Sequence, residues 1–466
     1  MTNESEQSEE SSNTNQESKP ISKQDILRIF TDSAAKDKTP LIGIEAEKVG
    51  IDGRSGKSAK YTGKGGYLAI LGKLYEELGW EIIKQDGKYI LQLQRGNSNL
   101  NLESDGRIEL AGGPHESIHD LAREFRIHQN EISEISHIFG INWLGIGYHP
   151  VSKNKDIEDL SSPRKDQLVK IFKDVKNRTK NDFGLAWFKK TSGIHVNIDY
   201  TSEEDFALKS KVFYRLAPLL VGIFANSPFS KNKFTGHMSY RYHVTLNTGI
   251  PRFRINKELY DSEFRFQDWV DHICSLPLFF FNRGEEWIKP GITFNEFMEN
   301  GYKDTRATMD DFSMHTKSLW KDVKMKNVIE IRCIDSLPPS LVPSVAALIK
   351  GIAYNKDAME ACWNMVKHWN YHEYAEFQEN VAKYGWHTEM HGVKALDLAK
   401  ELVTIAETSL KQDRIFDAYK KSEAKYLEEI KEFIFVKGGS PAEWIVKKWK
   451  GGWRGSFFPA FDWCQY

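Results

Sequence analysis

Four stretches of the chain place carboxylates where an alternating strand would hold them on one face. In Gly43-Ile44-Glu45-Ala46-Glu47, Glu45 and Glu47 share a side, opposite Ile44 and Ala46. In the run from Asn101 to Leu110, Asp105-Gly106 marks a hairpin. Its loop length decides the chemistry. A two-residue loop pairs Glu103 with Ile108 and puts Glu103 and Glu109 on opposite faces. A three-residue loop, Ser104-Asp105-Gly106, pairs Glu103 with Arg107 and Asn101 with Glu109. It gathers both glutamates on one side and Leu102, Ile108 and Leu110 on the other, and that agreement favours it. In SGIHVNIDY, His195, Asn197 and Asp199 share a face. In VIEIRCID, Glu330, Arg332 and Ile334 alternate with Ile329, Ile331 and Cys333. Oxygen-rich sites with few nitrogen ligands suit Mg²⁺ or Mn²⁺ better than Zn²⁺, and Mg²⁺ commonly works with substrate phosphates. Arginines beside such carboxylates would hold a carboxylate or phosphate through two hydrogen bonds. The charged face of a half-buried strand is ordinarily just solvated; the repetition over four segments gives the pattern its weight.

A second candidate is His115-Glu116-Ser117-Ile118-His119, which fits the zinc-protease pattern H-E-x-x-H. Pro114 directly precedes it, and Pro suits the first helical turn, so a helix is expected from His115 to Phe139 with His115 and Glu116 at its start. A frayed helix start holds a metal poorly, and the metzincin extension is missing. These residues read as polar groups at a helix start, with His119 on the surface or satisfied. Gly63 to Tyr67 is Gly-rich but lacks the Walker spacing, and no dinucleotide or kinase fingerprint accompanies it.

The elements that must position these residues follow from periodicity. Strands are expected at LIGIEAEKVGI, YILQLQ, LNLESDGRIEL, INWLGIGYHP, SGIHVNIDY and VIEIRCID. Helices are expected at Lys23 to Ser33, Tyr67 to Leu78, Asp166 to Asn177 and Ser202 to Phe224, with a mostly helical stretch from Pro343 to Glu432. Strands separated by long helices, several carrying carboxylates, imply a mixed α+β enzyme around one sheet. The 466 residues leave room for one large enzyme domain, and aromatics at 12% support a sizeable core. A net charge of −1 gives no whole-chain basic field for nucleic acid. No apolar run reaches membrane-spanning length. The four cysteines, Cys274, Cys333, Cys362 and Cys464, lack metal spacing and read as reduced thiols of a cytoplasmic protein. Residues 1–22 read as a disordered, polar, acidic tail.

Taken together, the motifs resemble those of the plant-type glutamate–cysteine ligases, which also occur in many proteobacteria. The family's G-[IT]-E-x-E-K strand corresponds to Gly43 through Lys48, and L-E-x-x-G-x-[FI]-E-L-[SA]-G-x-P to Leu102 through Pro114. HESIH then stands at a helix the family already has. Further matches are Gly145 to Pro150, Val196 to Asp199, Ala225 to Phe229, Ser239-Tyr240-Arg241, and Glu330-Ile331-Arg332 followed by Asp335. Ser440 to Glu443 and Gly451-Gly452-Trp453 match the C-terminal end. The resemblance spans roughly residues 38 to 466. It implies a glutamine-synthetase-like α+β fold, with an antiparallel curved sheet lining the active site and helices flanking it. A single catalytic domain over 23–466 would become mostly helical from about 343.

The activity implied is ATP-dependent: phosphorylation of the γ-carboxyl of glutamate, then attack by the amine of cysteine. By position, Glu45, Glu47, Glu103, Glu109 and Glu330 would be ligands for Mg²⁺ or Mn²⁺. His195 stands where related bacterial ligases have a metal-binding His. Arg241 and Arg332 would be catalytic, binding the glutamate carboxylate or stabilising the transferring phosphoryl, and Tyr240 would contact substrate. Expected partners are glutamate, cysteine and ATP, with no nucleic acid or membrane, in a monomer or homodimer. The family's M-P-x-x-R-Y segment has only a partial echo in Pro163-Arg164-Lys165, which leaves the acceptor amine open. A γ-glutamyl ligase for another amine and a catalytically inactive relative are the alternatives.

Overall fold

A computed structural model describes residues 20–34, 39–63, 65–87, 89–103, 107–160, 162–253, 257–260 and 263–466. The frame is an antiparallel sheet of nine strands among the described residues. The strands are β1 (Ile42–Asp52), β2 (Glu81–Asp86), β3 (Tyr89–Arg95), β4 (Ser98–Leu102), β5 (Ile108–Ala111), β6 (Ile141–Leu144), β7 (Gly193–Ile198), β8 (Val323–Met325) and β9 (Ile329–Asp335). They run in the order β8-β9-β7-β1-β5-β4-β3-β2, with β6 paired to the far end of β1. Chain-distant strands β1, β7 and β9 thus become central neighbours.

Alternation decides which face is which. Ile42, Ile44 and Ala46 of β1, Ile194, Val196 and Ile198 of β7, and Ile329 and Ile331 of β9 are all buried in the main core. Helices cover that face. The helix Val342–Ala353 packs on β1 and β7, and Glu203–Ile223 packs on β9. Burial of so many branched side chains, at roughly 25 cal/mol per Å² of apolar surface, fixes the register. A slip of one residue would turn every carboxylate into the core.

The expected α+β architecture is therefore present, and the helical stretch after about 343 packs directly on the sheet. Several details differ from expectation. The strand expected over INWLGIGYHP ends at Leu144, and a helix over Phe183–Lys190 was not expected. Residues 1–19 of the expected tail lie outside the described residues, but Ile21 is buried and its N–H donates to the Ala307 carbonyl at 2.9 Å. The helix expected from His115 begins instead at Ile118, because Ser117 caps it by accepting from the His119 N–H at 3.0 Å. His115 stays extended and pairs with Ile42. A further difference is β2, whose exposed run has no clear alternation.

Candidate active site

Strand pairing brings the acidic residues together. Glu45 lies opposite His195, Glu47 opposite Glu109, and Glu330 opposite Asn197. Asn101 opposes Glu109 and Leu102 opposes Ile108, the register of the three-residue loop. Residues 104–106 themselves lie outside the described residues. The Glu103 N–H donates to the Arg107 carbonyl at 2.8 Å, which closes the hairpin in that register.

Glu45, Glu47, Glu103, Glu109, His195 and Arg332 line one cavity of about 280 Å³. Within it, ligand atoms of Glu45, Glu109 and His195 all lie within 4.8 Å of one another. His195 Nδ1 sits 2.8 Å from Glu45 Oε2, and Asn197 Nδ2 donates to Glu45 Oε1 at 2.9 Å. Burial, and then the Arg332 charge, pushes the His195 ring down to about 3, so it is a neutral imidazole near pH 7. A neutral ring that donates from Nδ1 to Glu45 keeps a lone pair on Nε2, the form a metal needs.

Burial works against Glu45, but its hydrogen bond with His195 and the nearby cations outweigh it, and the carboxyl is held below its ordinary range. Glu109 goes the other way. Burial first, then the charges of Glu45, Glu103 and Glu47, push it well above the ordinary carboxylate value. Asn101 Nδ2 is its hydrogen-bond donor, at 2.9 Å. Buried carboxylates repelling one another across a neutral imidazole form a donor set that a divalent cation fits. The nitrogen ligand makes Mn²⁺ as suitable as Mg²⁺.

Of the remaining expected ligands, Glu103 lines the cavity, while Glu47 and Glu330 are paired with cations. Glu47 pairs with Arg107 at 3.1 Å and accepts from the Gly193 N–H at 2.5 Å; burial nonetheless raises its carboxyl. Glu330 is buried, does not line the cavity, and pairs with Arg332 and, at 2.5 Å, with Lys326. It lies 3.7 Å from His195 Nδ1.

Arg241 and Tyr240 depart from expectation. Arg241 donates to the carbonyls of Cys333 at 3.0 Å and Arg332 at 2.9 Å, and neither it nor Tyr240 lines the cavity. Arg241 holds the irregular part of β9, where the register against β7 shifts between Ile331 and Ile334, and so positions Arg332. Tyr240 packs edge-on against Tyr148 at 4.9 Å.

Conversely, the cavity is completed by groups the sequence did not single out: Arg107, Lys317, Leu168, Trp187, Phe188 and Trp320. Arg164, the partial echo of the family's basic segment, also lines it. Lys317 and Trp320 follow a short helix, Met309–Thr316, and carry no local pattern that marks them as functional.

A family model described as glutamate–cysteine ligase family 2 matches residues 41–460. The chain belongs to that family. Among curated relatives, glutamate–cysteine ligase B, chloroplastic, of Oryza sativa subsp. japonica is 26% identical over 455 residues, 97% of this chain and 88% of its own. The Medicago truncatula glutamate–cysteine ligase is 27% identical over 451 residues, 96% of this chain and 86% of its own. The crystal structure of the Francisella tularensis glutamate–cysteine ligase in complex with AMP has the same fold, with a TM-score of 0.52 at 14% identity, covering 92% of this chain and 88% of that one.

Several motifs of this glutamate–cysteine ligase family member meet in a buried node rather than in the cavity. Asp335 accepts from the Asn226 N–H at 2.9 Å, Ser227 Oγ at 2.7 Å and Ser239 Oγ at 2.9 Å. A side chain on Gly147 would meet the Asp335 carboxyl at 2.4 Å, so only glycine passes there. The node fixes the segment that carries Arg241. The HESIH rings do not meet as a zinc pair: His115 contacts Glu124 at 3.0 Å and His119 contacts Tyr426 at 3.1 Å.

Proposed function

We propose that the cavity joins L-glutamate, through its γ-carboxyl, to the amine of L-cysteine at the expense of ATP, giving γ-glutamylcysteine. Convergence of Glu45, Glu109 and His195 beside four cations of the same cavity carries this reading, together with the family membership.

The γ-carboxylate oxygen attacks the terminal phosphorus of ATP, the bridging P–O bond breaks, and ADP leaves. The cysteine amine then attacks the acyl carbon of γ-glutamyl phosphate. The C–O bond breaks, phosphate departs, and the amine loses its proton to solvent. Bringing together anions in this way needs positive charge and positioning more than any unusual base. Mg²⁺ or Mn²⁺ held by Glu45, Glu109 and His195 would neutralise phosphate charge.

Arg107, Arg164, Lys317 and Arg332 face the same space, where they can bind substrate carboxylate and phosphate oxygens. Arg332 and Lys326 now occupy Glu330, and Arg107 occupies Glu47. In this reading an incoming phosphate draws those cations away, and Glu47 and Glu330 become available as further ligands beside Glu103. Arg241 acts through β9. Trp187, Phe188, Leu168 and Trp320 form an apolar wall that limits water.

We further propose a single catalytic domain, a monomer or homodimer, located in the cytoplasm; the four free, buried cysteines support a reducing compartment. No helix among the described residues is long and apolar enough to cross a membrane.

The test is to incubate the purified protein with ATP, Mg²⁺ and glutamate, adding cysteine, 2-aminobutyrate or other amino acids singly, and to follow ADP and product mass. A γ-glutamylcysteine mass that requires Mg²⁺ and disappears in Glu45→Gln supports the reading. A γ-glutamyl product with another amine keeps the chemistry and changes the acceptor. No ADP with any acceptor, from folded protein, removes the enzymatic assignment.

A further inference from the structure

Beside the active cavity lies a second one of about 10 Å³, room for one water-sized particle. Arg107 lines both cavities, and His149, Lys189 and Lys190 also line the smaller one. No carboxylate lines it among the described residues.

Two of the three cations are already matched: Lys189 pairs with Asp159 at 2.5 Å and Arg107 with Glu47 at 3.1 Å. Lys190 is not. It is 1% exposed, its Nζ donates to Ser230 Oγ at 3.3 Å, and it lies 4.4 Å from the Tyr148 ring centre. Among the described residues no carboxylate is within ion-pair distance of it. A desolvated ammonium is costly, and burial, then the Lys231 charge, lowers it to about 7 against the more distant charges of Asp182 and Asp156.

His149 adds a second, independent observation. It is 2% exposed, and its Nδ1 accepts from the N–H groups of Val151 at 3.3 Å and Ser152 at 3.2 Å. The neutral ring must then carry its proton on Nε2. That buried N–H meets no acceptor. The cavity thus gathers three basic residues and His149 among Val49, Gly50, Ser58 and Tyr67, with no carboxylate among its described lining.

We propose that this cavity binds a single small anion of the halide class, held by the Lys190 ammonium, the His149 Nε2–H and the Arg107 guanidinium. The small volume suits a monatomic ion better than phosphate or sulfate. Because Arg107 lines both cavities, occupancy holds its side chain between them.

The experiment has two arms. Crystals of the full chain are soaked in sodium bromide and measured at the bromine absorption edge. Thermal unfolding of wild type, Lys190→Met and His149→Asn is compared in chloride, gluconate and sulfate at equal ionic strength. The Asn variant keeps an acceptor near the Nδ1 position and removes the Nε2 donor. The expected result is a bromide peak in the cavity and a wild-type Tm about 1–2 °C higher in chloride than in gluconate. That difference disappears in Lys190→Met and shrinks in His149→Asn. If Lys190→Met does not fold, the bromide peak and His149→Asn decide. Absence of the peak, equal Tm in chloride and gluconate for wild type, or an unchanged chloride effect in the variants overturns the proposal and leaves a single-water cavity. Stabilisation by sulfate alone overturns it too, by refuting the size argument.

Discussion

Asp322 offers a stability prediction whose sign is opposite to that of most carboxylates. It lies between β9 and the helix Tyr371–Tyr384, and its Oδ2 accepts from Tyr242 Oη at 2.6 Å and Gln378 Nε2 at 2.9 Å. Burial pushes its carboxyl from the ordinary 3.8 up to about 6, against the pull of the Tyr242 hydrogen bond and the Arg241 charge. The folded state therefore holds this proton more tightly than the unfolded state. The stability it contributes is complete below pH 3.8 and is lost as pH rises through about 6. The full difference is about 3 kcal/mol. At pH 5 roughly half of it has been lost, and at pH 8 essentially all. Asp322→Asn keeps an acceptor oxygen and removes the titration. Its stability relative to wild type should rise by about 1–2 kcal/mol between pH 5 and pH 8, whatever its offset from lost contacts. Urea unfolding of both metal-free proteins at the two pH values measures this. A gap that stays constant, or that narrows as pH rises, refutes the reasoning.

Three further outcomes are expected. Glu109→Gln removes a carboxyl pushed upward by burial and by Glu45, Glu103 and Glu47, so it should raise the Tm of the metal-free protein at pH 8 while cutting Mg²⁺-dependent ADP formation by at least about 100-fold. Lys350→Met strands Glu423, which is 0% exposed and accepts from Lys350 at 2.8 Å and from the Ile118 N–H at 2.6 Å. It should cost about 3–5 kcal/mol in urea unfolding, and Lys350→Met/Glu423→Gln should recover part of that. Gly193→Ala places a methyl 2.4 Å from Arg241 Nη2, too close to the guanidinium that holds β9. It should cost about 1–3 kcal/mol and lower kcat/KM about 10-fold through displacement of β7 from Glu47; unchanged kinetics would show that Arg241 has room to move.

The sequence by itself determined which residues could share a face. Glu45 with Glu47, His195 with Asn197, and Glu103 with Glu109 follow from a period of two, from the apolar residues between them and from hairpin arithmetic. The motif order also identified the family, and the structure keeps those strands in the central sheet. Which face residues meet was a tertiary decision. Strand order places β7 against β1, so Glu45 meets His195 across 150 positions of sequence. Arg241 donates to backbone carbonyls in the irregular part of β9 and Arg332 lines the cavity, a difference that local motifs do not carry. Helix capping moved His115 off the helix because Ser117 supplies the side-chain acceptor that a start at Pro114 lacks. Trp187, Trp320, Lys317 and the small cavity beside Lys190 came from loop and helix packing. Short-range periodicity determines the direction of a side chain, but long-range packing selects its neighbours, and neighbours set charge, burial and chemistry.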